Sequence, residues 1–213
     1  MINKKKIILI GGGGHCKSCI DVIEQEGQFE IAGIIDVPEK YGEKILGYPV
    51  IGNDENIEEL SKKYQNFFIT IGQIKSSLLR KKLFEKLKGL KVNIPVIISP
   101  RAYVSKNSTI AEGTIIMHFA LVNAEAEIGQ NCIINTGSIV EHEAKIGNFC
   151  HISTNVVING NCIVGNECLI GSGTILAHGV EVKENCLISS GSVLLRSIIN
   201  SGTYIGNPLR KIR

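Results

Sequence analysis

From Val104 to Leu194 an aliphatic side chain returns at every sixth position: Val104, Ile110, Ile116, Val122, Ile128, Ile134, Val140 and Ile146, then Ile152, Ile158, Val164, Ile170, Leu176, Val182, Ile188 and Leu194. Four places after each stands a small or compact residue, such as Ser108, Thr114, Ala120, Ala126, Cys132, Ser138, Ala144 and Cys150. Glycine or a polar residue usually follows the aliphatic, as in "IGQN", "IGNF" and "VGNE", where the chain must turn. A six-residue period of this kind predicts a parallel β-helix. Three hexads per coil make a triangular prism with the aliphatic residues stacked inside, each coil adding about 4.8 Å and about five coils giving a height of roughly 25 Å. Both ends of such a prism present unpaired strand edges that need cover.

Up to residue 98 the grammar differs. "KIILIG", "EIAGIID", "FFITIG" and "IPVIIS" read as four buried strands, and Cys16 to Glu26, "ENIEELSKKY" and "SSLLRKKLFEKLKG" as helices between them. Strand and helix in alternation predict a small, Rossmann-like parallel α/β sheet with right-handed crossovers. The expected organisation is therefore residues 1–98 as a Rossmann-like domain and 99–213 as the β-helix.

Composition narrows the function. With 44% apolar and 20% charged residues and a net charge of +3, the chain reads as globular and carries no charge excess that predicts a nucleic-acid surface. "MINKKKIILIGGGG" imitates a signal peptide, but its apolar run, Ile7 to Ile10, is too short for a signal or a membrane span, so a cytoplasmic location is expected. Seven cysteines, an odd number, point to reduced thiols. Cys16-Lys17-Ser18-Cys19 stands at a strand–helix junction, where a thioredoxin-type pair would sit. No second pair completes a zinc site, and no metal is expected. Cys132, Cys150, Cys162, Cys168 and Cys186 occupy the small-residue slot and read as buried fillers.

Two stretches carry candidate chemistry. Glu141-His142-Glu143 places a histidine at the third place of its hexad, away from the core. It is either a solvated corner or a general base with a carboxylate orienting the imidazole. His118 and His178 share the hexad place, His178 two coils on and roughly 10 Å away. His151 takes the sixth place of the next hexad, on an adjoining face. Gly11 to Gly14 follow a strand and precede a helix, a setting that suits a phosphate or a plain tight turn. Cys16 stands where a full dinucleotide fingerprint wants glycine, and Asp36 ends the second strand, where a carboxylate meets a ribose. Arg196, Arg210, Lys211 and Arg213 suit either coenzyme A phosphates or a solvated tail.

"IGGGGHC", "FFITIG", "IVEHEAKIGNFCHIS" and the closing "YIGNPLRKIR" give the whole chain its resemblance to the two-domain hexapeptide-repeat sugar acetyltransferases, the family of the UDP-amino-sugar N-acetyltransferases and sialic acid O-acetyltransferases. The resemblance implies a left-handed coil and a homotrimer with acetyl-CoA bound between prisms. It implies His142 as general base supported by Glu143, and His151 and Gly160 lining the acetyl-CoA site with backbone contacts near Ser172 and Ser190. It further implies a UDP-sugar held by Gly13, Gly14, His15, Asp36 and Gly72. The leading expectation is direct acetyl transfer from acetyl-CoA to the amino group of a UDP-linked amino-sugar. The alternatives are O-acetylation of a sialic-acid-type sugar, and a non-catalytic trimeric scaffold or nucleotide-sugar sensor.

Overall fold

A computed structural model describes residues 4–74, 76–207 and 209–212. β1 (Lys5–Ile10) runs between β2 (Phe29–Ile35) and β5 (Asn66–Ile69), and β4 (Tyr48–Gly52) extends the sheet beyond β2, all parallel. Ile7 to Ile10 are buried on both sides, which is why this run is continuously apolar and does not alternate. Two strands were not read from the sequence: β4 itself, and β3 (Lys44–Ile45), which pairs antiparallel with it at the sheet edge. Its two-residue turn puts both Leu46 (φ 48°) and Gly47 (φ 90°) in the left-handed region, as a tight hairpin demands.

The expected fourth strand of this sheet belongs elsewhere. β6 (Ile97–Ile98) pairs with Ile115–Ile116 of the prism. Ile98 stands six residues before Val104, so this segment is in register with the hexads.

Helix α1 (Gly14–Glu26) begins two residues earlier than the apolar pattern suggests and ends at Gly27, whose left-handed backbone lets its N–H reach the Ile23 carbonyl. It is buried on two sides: one core joins its Ile20, Val22 and Ile23 to Ile7, Leu9 and Phe68 of the sheet and to Ile97, Ile115 and Ile133 of the prism. Cys16 and Cys19 are fully enclosed, and burial raises both thiol pKa values. A thioredoxin-type pair needs the opposite, an accessible thiol with a lowered pKa.

The hexads close into three parallel sheets. Face I holds Tyr103–Val104, Leu121–Val122, Ile139–Val140, Val157–Ile158, Ile175–Leu176 and Val193–Leu194. Face II runs from Thr109–Ile110 to Glu181–Val182, and face III from β6 through His151–Ile152 to the C-terminal hairpin of Gly202–Gly206 and Leu209–Lys211. Every hexad aliphatic from Ile116 to Leu194 lies in one buried cluster. The slot four places later holds a compact side chain, and where that is cysteine or threonine it donates to a main-chain carbonyl. Cys132 Sγ meets Gly147 O at 3.0 Å, Cys150 Sγ meets Gly165 O at 3.0 Å, and Thr114 Oγ1 meets Gly129 O at 2.8 Å.

At each corner one residue adopts positive φ, commonly glycine or asparagine but also Phe119, Glu125, Glu143, Phe149 and Glu167. The left-handed conformation costs such side chains about 1–2 kcal/mol, so their contacts are informative. Phe149 meets Phe84 edge-on, ring centroids 5.5 Å apart, and Glu167 accepts from Ser77 Oγ and Lys81 Nζ, each at 2.7 Å. Both dock helix α3 (Leu78–Gly89), which follows the short α2 (Ile57–Lys63) and β5, and the turn before it against the corner between faces II and III. Outward residues differ by face. Face II shows Thr109, Glu127, Lys145, Ile163 and Glu181, polar but for the isoleucine; face III is covered by α1 at Ile97, Ile115 and Ile133; face I leaves Tyr103, Leu121, Ile139, Val157, Ile175 and Val193 without cover from their own chain.

Candidate active site

A cleft of about 880 Å³ opens above the glycine turn, between β1, β2, β5 and face III. Gly13 and Gly14 meet nothing within 4 Å on their side-chain side, and Gly13 caps α1 with no side-chain hydrogen bond and no acid in the first turn. These free N–H groups, at the positive end of a helix dipole, are arranged for an anion. Gly12 lies so close to Asp36 that a Cβ there would come within 2.5 Å of its Oδ2. Asp36 is already engaged: Oδ1 accepts from Val37 N–H at 2.9 Å and Oδ2 pairs with Lys40 Nζ at 2.6 Å. Gly72 packs beside His15, whose Nε2 is enclosed without a partner. Burial, with His151 and Arg80 adding to it, pulls the His15 pKa down to about 4. Gly13, Gly14, His15, Asp36 and Gly72 thus share one cleft.

His151 joins them, although the resemblance placed it with the cofactor. Its Nδ1 donates to Gln73 O at 2.9 Å and its Nε2 accepts from Asn135 Nδ2 at 3.1 Å, which fixes the neutral Nδ1–H tautomer. Burial holds its pKa below the ordinary imidazole value, and Arg80 acts in the same direction. Sequence reasoning missed the support beneath: Arg80 donates to Gln73 Oε1 and to Asn131. The signal existed, because Arg80, Leu83, Phe84 and Leu87 form the buried stripe of α3, and a cation on an apolar stripe is out of place.

His142 sits at the corner between faces I and II, half exposed. Its Nδ1 and Glu143 Oε2 are 3.0 Å apart. Glu141 turns away to accept from Asn123 Nδ2 at 2.7 Å. The positive φ of Glu143, 60°, directs its carboxylate back toward the ring. The imidazole lies over Gly160 one coil on: a Cβ there would stand 2.6 Å from both Cε1 and Nε2. Because nothing projects from Gly160, His178 approaches to a ring-centroid distance of 6.5 Å, shorter than the expected 10 Å. Arg196 follows on the same edge, beside a second cleft of about 490 Å³ that includes Tyr204 and Lys211. The side chain of Arg210 and the whole of Arg213 lie outside the described residues.

Ser172 and Ser190 stand exposed at the corner between faces III and I, Ser172 Oγ 2.9 Å from Ser153 Oγ. The chain therefore distributes its candidate residues over three places. The glycine cleft lies on face III, the two serines on one flank of face I, and His142, Glu143 and Gly160 on its other flank, opposite face III.

A further constellation has the connectivity of a hydrolytic triad: Ser99 Oγ to His118 Nδ1 and His118 Nε2 to Asp21 Oδ2, both 2.6 Å. Ser99 is 1% exposed and its hydroxyl accepts from Arg101 N–H. It has no approach for a substrate, and the relay instead staples α1 to the prism. Among the described residues no three metal-ligating side chains cluster, and no helix is long and apolar enough to cross a membrane.

Comparison with known proteins matches both parts. Residues 6–87 fit the family described as PglD N-terminal domain, and residues 161–196 the bacterial transferase hexapeptide family. UDP-N-acetylbacillosamine N-acetyltransferase of Bacillus subtilis (strain 168) is 31% identical over 115 residues, 53% of this chain and about half, 51%, of that relative. Two solved structures superpose along nearly the whole length. A histidine-to-alanine variant of GDP-perosamine N-acetyl transferase from Caulobacter crescentus, in complex with CoA and GDP-perosamine, gives a TM-score of 0.91 at 29% identity, covering 100% of this chain and 98% of the other. The acetyltransferase domain of PglB from Neisseria gonorrhoeae FA1090, in complex with acetyl coenzyme A, gives 0.90 at 27%, covering 99% and 100%. The chain thus carries a PglD-type N-terminal domain followed by hexapeptide repeats, in the order and left-handed β-helical fold of the sugar acetyltransferases on which it superposes.

Proposed function

We propose that this protein is an acetyl-CoA-dependent N-acetyltransferase acting on the amino group of a nucleotide-linked amino-sugar, with His142 as general base. The observation that carries the reading is the His142–Glu143 pair: Nδ1 is held by a carboxylate, while Nε2, above Gly160, has no hydrogen bond among the described residues. An imidazole so oriented accepts a proton through Nε2 and is stabilised as it does so by the adjacent carboxylate. Glu141, committed to Asn123, does not compete for that role.

The open edge suits a long thioester. Small Gly160 lies beside His142, and Arg196 stands three coil rises farther, ~14 Å away, with Lys211 lining the same terminal cleft. These cations would hold the phosphate end of acetyl-CoA, which supplies an activated acetyl group. His142 then takes the proton released by the attacking amine and returns it to the thiolate that leaves as the C–S bond breaks, giving the free thiol. The glycine cleft supports a nucleotide: free helix N–H groups for the phosphates and Asp36 at the strand end, where Lys40 leaves its place to a ribose or adjusts to it.

One chain does not bring these parts together, because the cleft and His142 lie on opposite sides of its prism. We read the protein as a homotrimer packed through face I. The six apolar residues of that face would be buried, and the Ser172 and Ser190 corner of one copy would meet the His142 corner of the next.

The test is thiol release from acetyl-CoA with a panel of acceptors. Release with a UDP- or GDP-linked 4-amino-sugar and not with free sugars is expected; acetylation of a free nine-carbon sugar alone would overturn the acceptor assignment.

A further inference from the structure

Arg80 occupies a position in α3 where leucine would pack. It is 2% exposed, and no carboxylate pairs with it among the described residues. Its Nη1 donates to Gln73 Oε1 at 2.9 Å and its Nη2 to the side-chain and main-chain oxygens of Asn131. Two atoms at this junction have no partner at all, Arg80 Nε and Asn131 Nδ2. A buried cation without a counter-ion is costly, and an apolar side chain of similar volume would stabilise the junction better.

What lies above it explains the arrangement. The Gln73 carbonyl accepts from His151, and both His151 and His15 line the glycine cleft with Gln73 between them and Arg80. Gly13 and Gly14 add unpaired helix N–H groups at the same end. Asp36 is paired with Lys40, while the exposed Asp54 and Glu55 line the cleft from the β4 side. The glycine end of the cleft is thus electropositive with nothing of its own to balance it.

We infer that Arg80 is a positioning residue whose unbalanced charge is matched by the ligand: through Gln73 it sets the His151 ring, and from beneath the cleft it favours a nucleoside diphosphate over the neutral nucleoside. The inference rests on the nucleotide-sugar reading above. Arg80 does not touch the ligand; its charge and its grip on Gln73 act at a distance.

Asn131→Asp tests it. The exchange is nearly isosteric, aspartate tolerates the positive φ of this corner (49°), and an unpartnered donor becomes a carboxylate that neutralises Arg80 in place. Calorimetry with UDP and uridine, and with GDP and guanosine, gives the preference of the cleft for the diphosphate. That preference should fall about tenfold, the order for one unit charge acting over ~10 Å at an effective dielectric of ~20. The thermal midpoint of the apo variant should rise at the same time. Arg80→Gln, which removes the charge and keeps a donor for Asn131, should lower the preference while also lowering the midpoint, so one of the two soluble variants suffices. An unchanged preference in either variant makes Arg80 a merely structural residue and overturns the inference. Failure of the wild-type protein to bind either diphosphate at millimolar concentration overturns the nucleotide reading and this inference with it, an outcome distinct from the first.

Discussion

A methyl group on Gly160 would collide with the His142 ring, so Gly160→Ala should push the imidazole off its seat. Turnover should fall while the thermal midpoint barely moves, since the nearest atoms an added methyl meets all belong to the half-exposed His142 ring; a drop in midpoint with unchanged turnover would show the seat to be irrelevant. His142→Ala should lower turnover by about 10²- to 10⁴-fold, the usual worth of a general base. Glu143→Asn should cost less, and without loss of stability, because asparagine is at ease with the positive φ that glutamate bears there. His15 offers a pH signature. Its folded pKa of about 4 lies below the ordinary 6.5, so between these values the unfolded chain binds the proton and the folded one does not. Stability should therefore fall as the pH drops from 6.5 to 4, by up to about 3 kcal/mol. His15→Gln should flatten that slope in denaturant titrations. The outward direction of His142 was legible from the hexad phase alone. The choice of Glu143 over Glu141 was not: it depends on a backbone conformation at one corner and on Asn123 one coil earlier. Gly160 as a seat was equally hidden, because the contact joins residues eighteen apart.

At the scale of elements, α3 holds the sheet domain to the prism through Phe84 against Phe149. Phe84→Ala should cost about 3–5 kcal/mol, read by chemical denaturation; a loss under 1 kcal/mol would mean the helix docks by its ion pairs instead. Helix α1 is enclosed on two sides, and all seven cysteines are buried and free. A thiol reagent should leave the native protein unlabelled and react fully only on unfolding, whereas rapid labelling at Cys16 or Cys19 would restore the redox reading. The helices and central strands were legible because period and length agreed. The hairpin of β3 was not, being two residues long and specified by its turn. β6 was assigned to the wrong sheet because "IPVIIS" carries the apolar run of a buried strand, while its partner is decided by hexad register with Val104.

For the whole molecule, the repeat made the prism legible, while the row Tyr103, Leu121, Ile139, Val157, Ile175 and Val193 emerges only when every third hexad is stacked on one face. That these six remain uncovered was not legible, because face III carries a similar row, Ile97, Ile115 and Ile133, which α1 conceals. Light scattering should give close to three times 23.1 kDa, and Val157→Lys should dissociate the assembly; a wild-type mass of one chain would refute the packing. The opposed placement of the glycine cleft and His142 also makes failure divisible. Chains carrying Asp36→Ala lack a sound cleft and chains carrying His142→Ala lack a sound base, so homogeneous assemblies of either are impaired everywhere. Unfolded together in equal amounts and refolded, the two variants would share assemblies in which about a quarter of the junctions join an intact cleft to an intact base. Two defective proteins would then regain through mixing an activity that neither has alone.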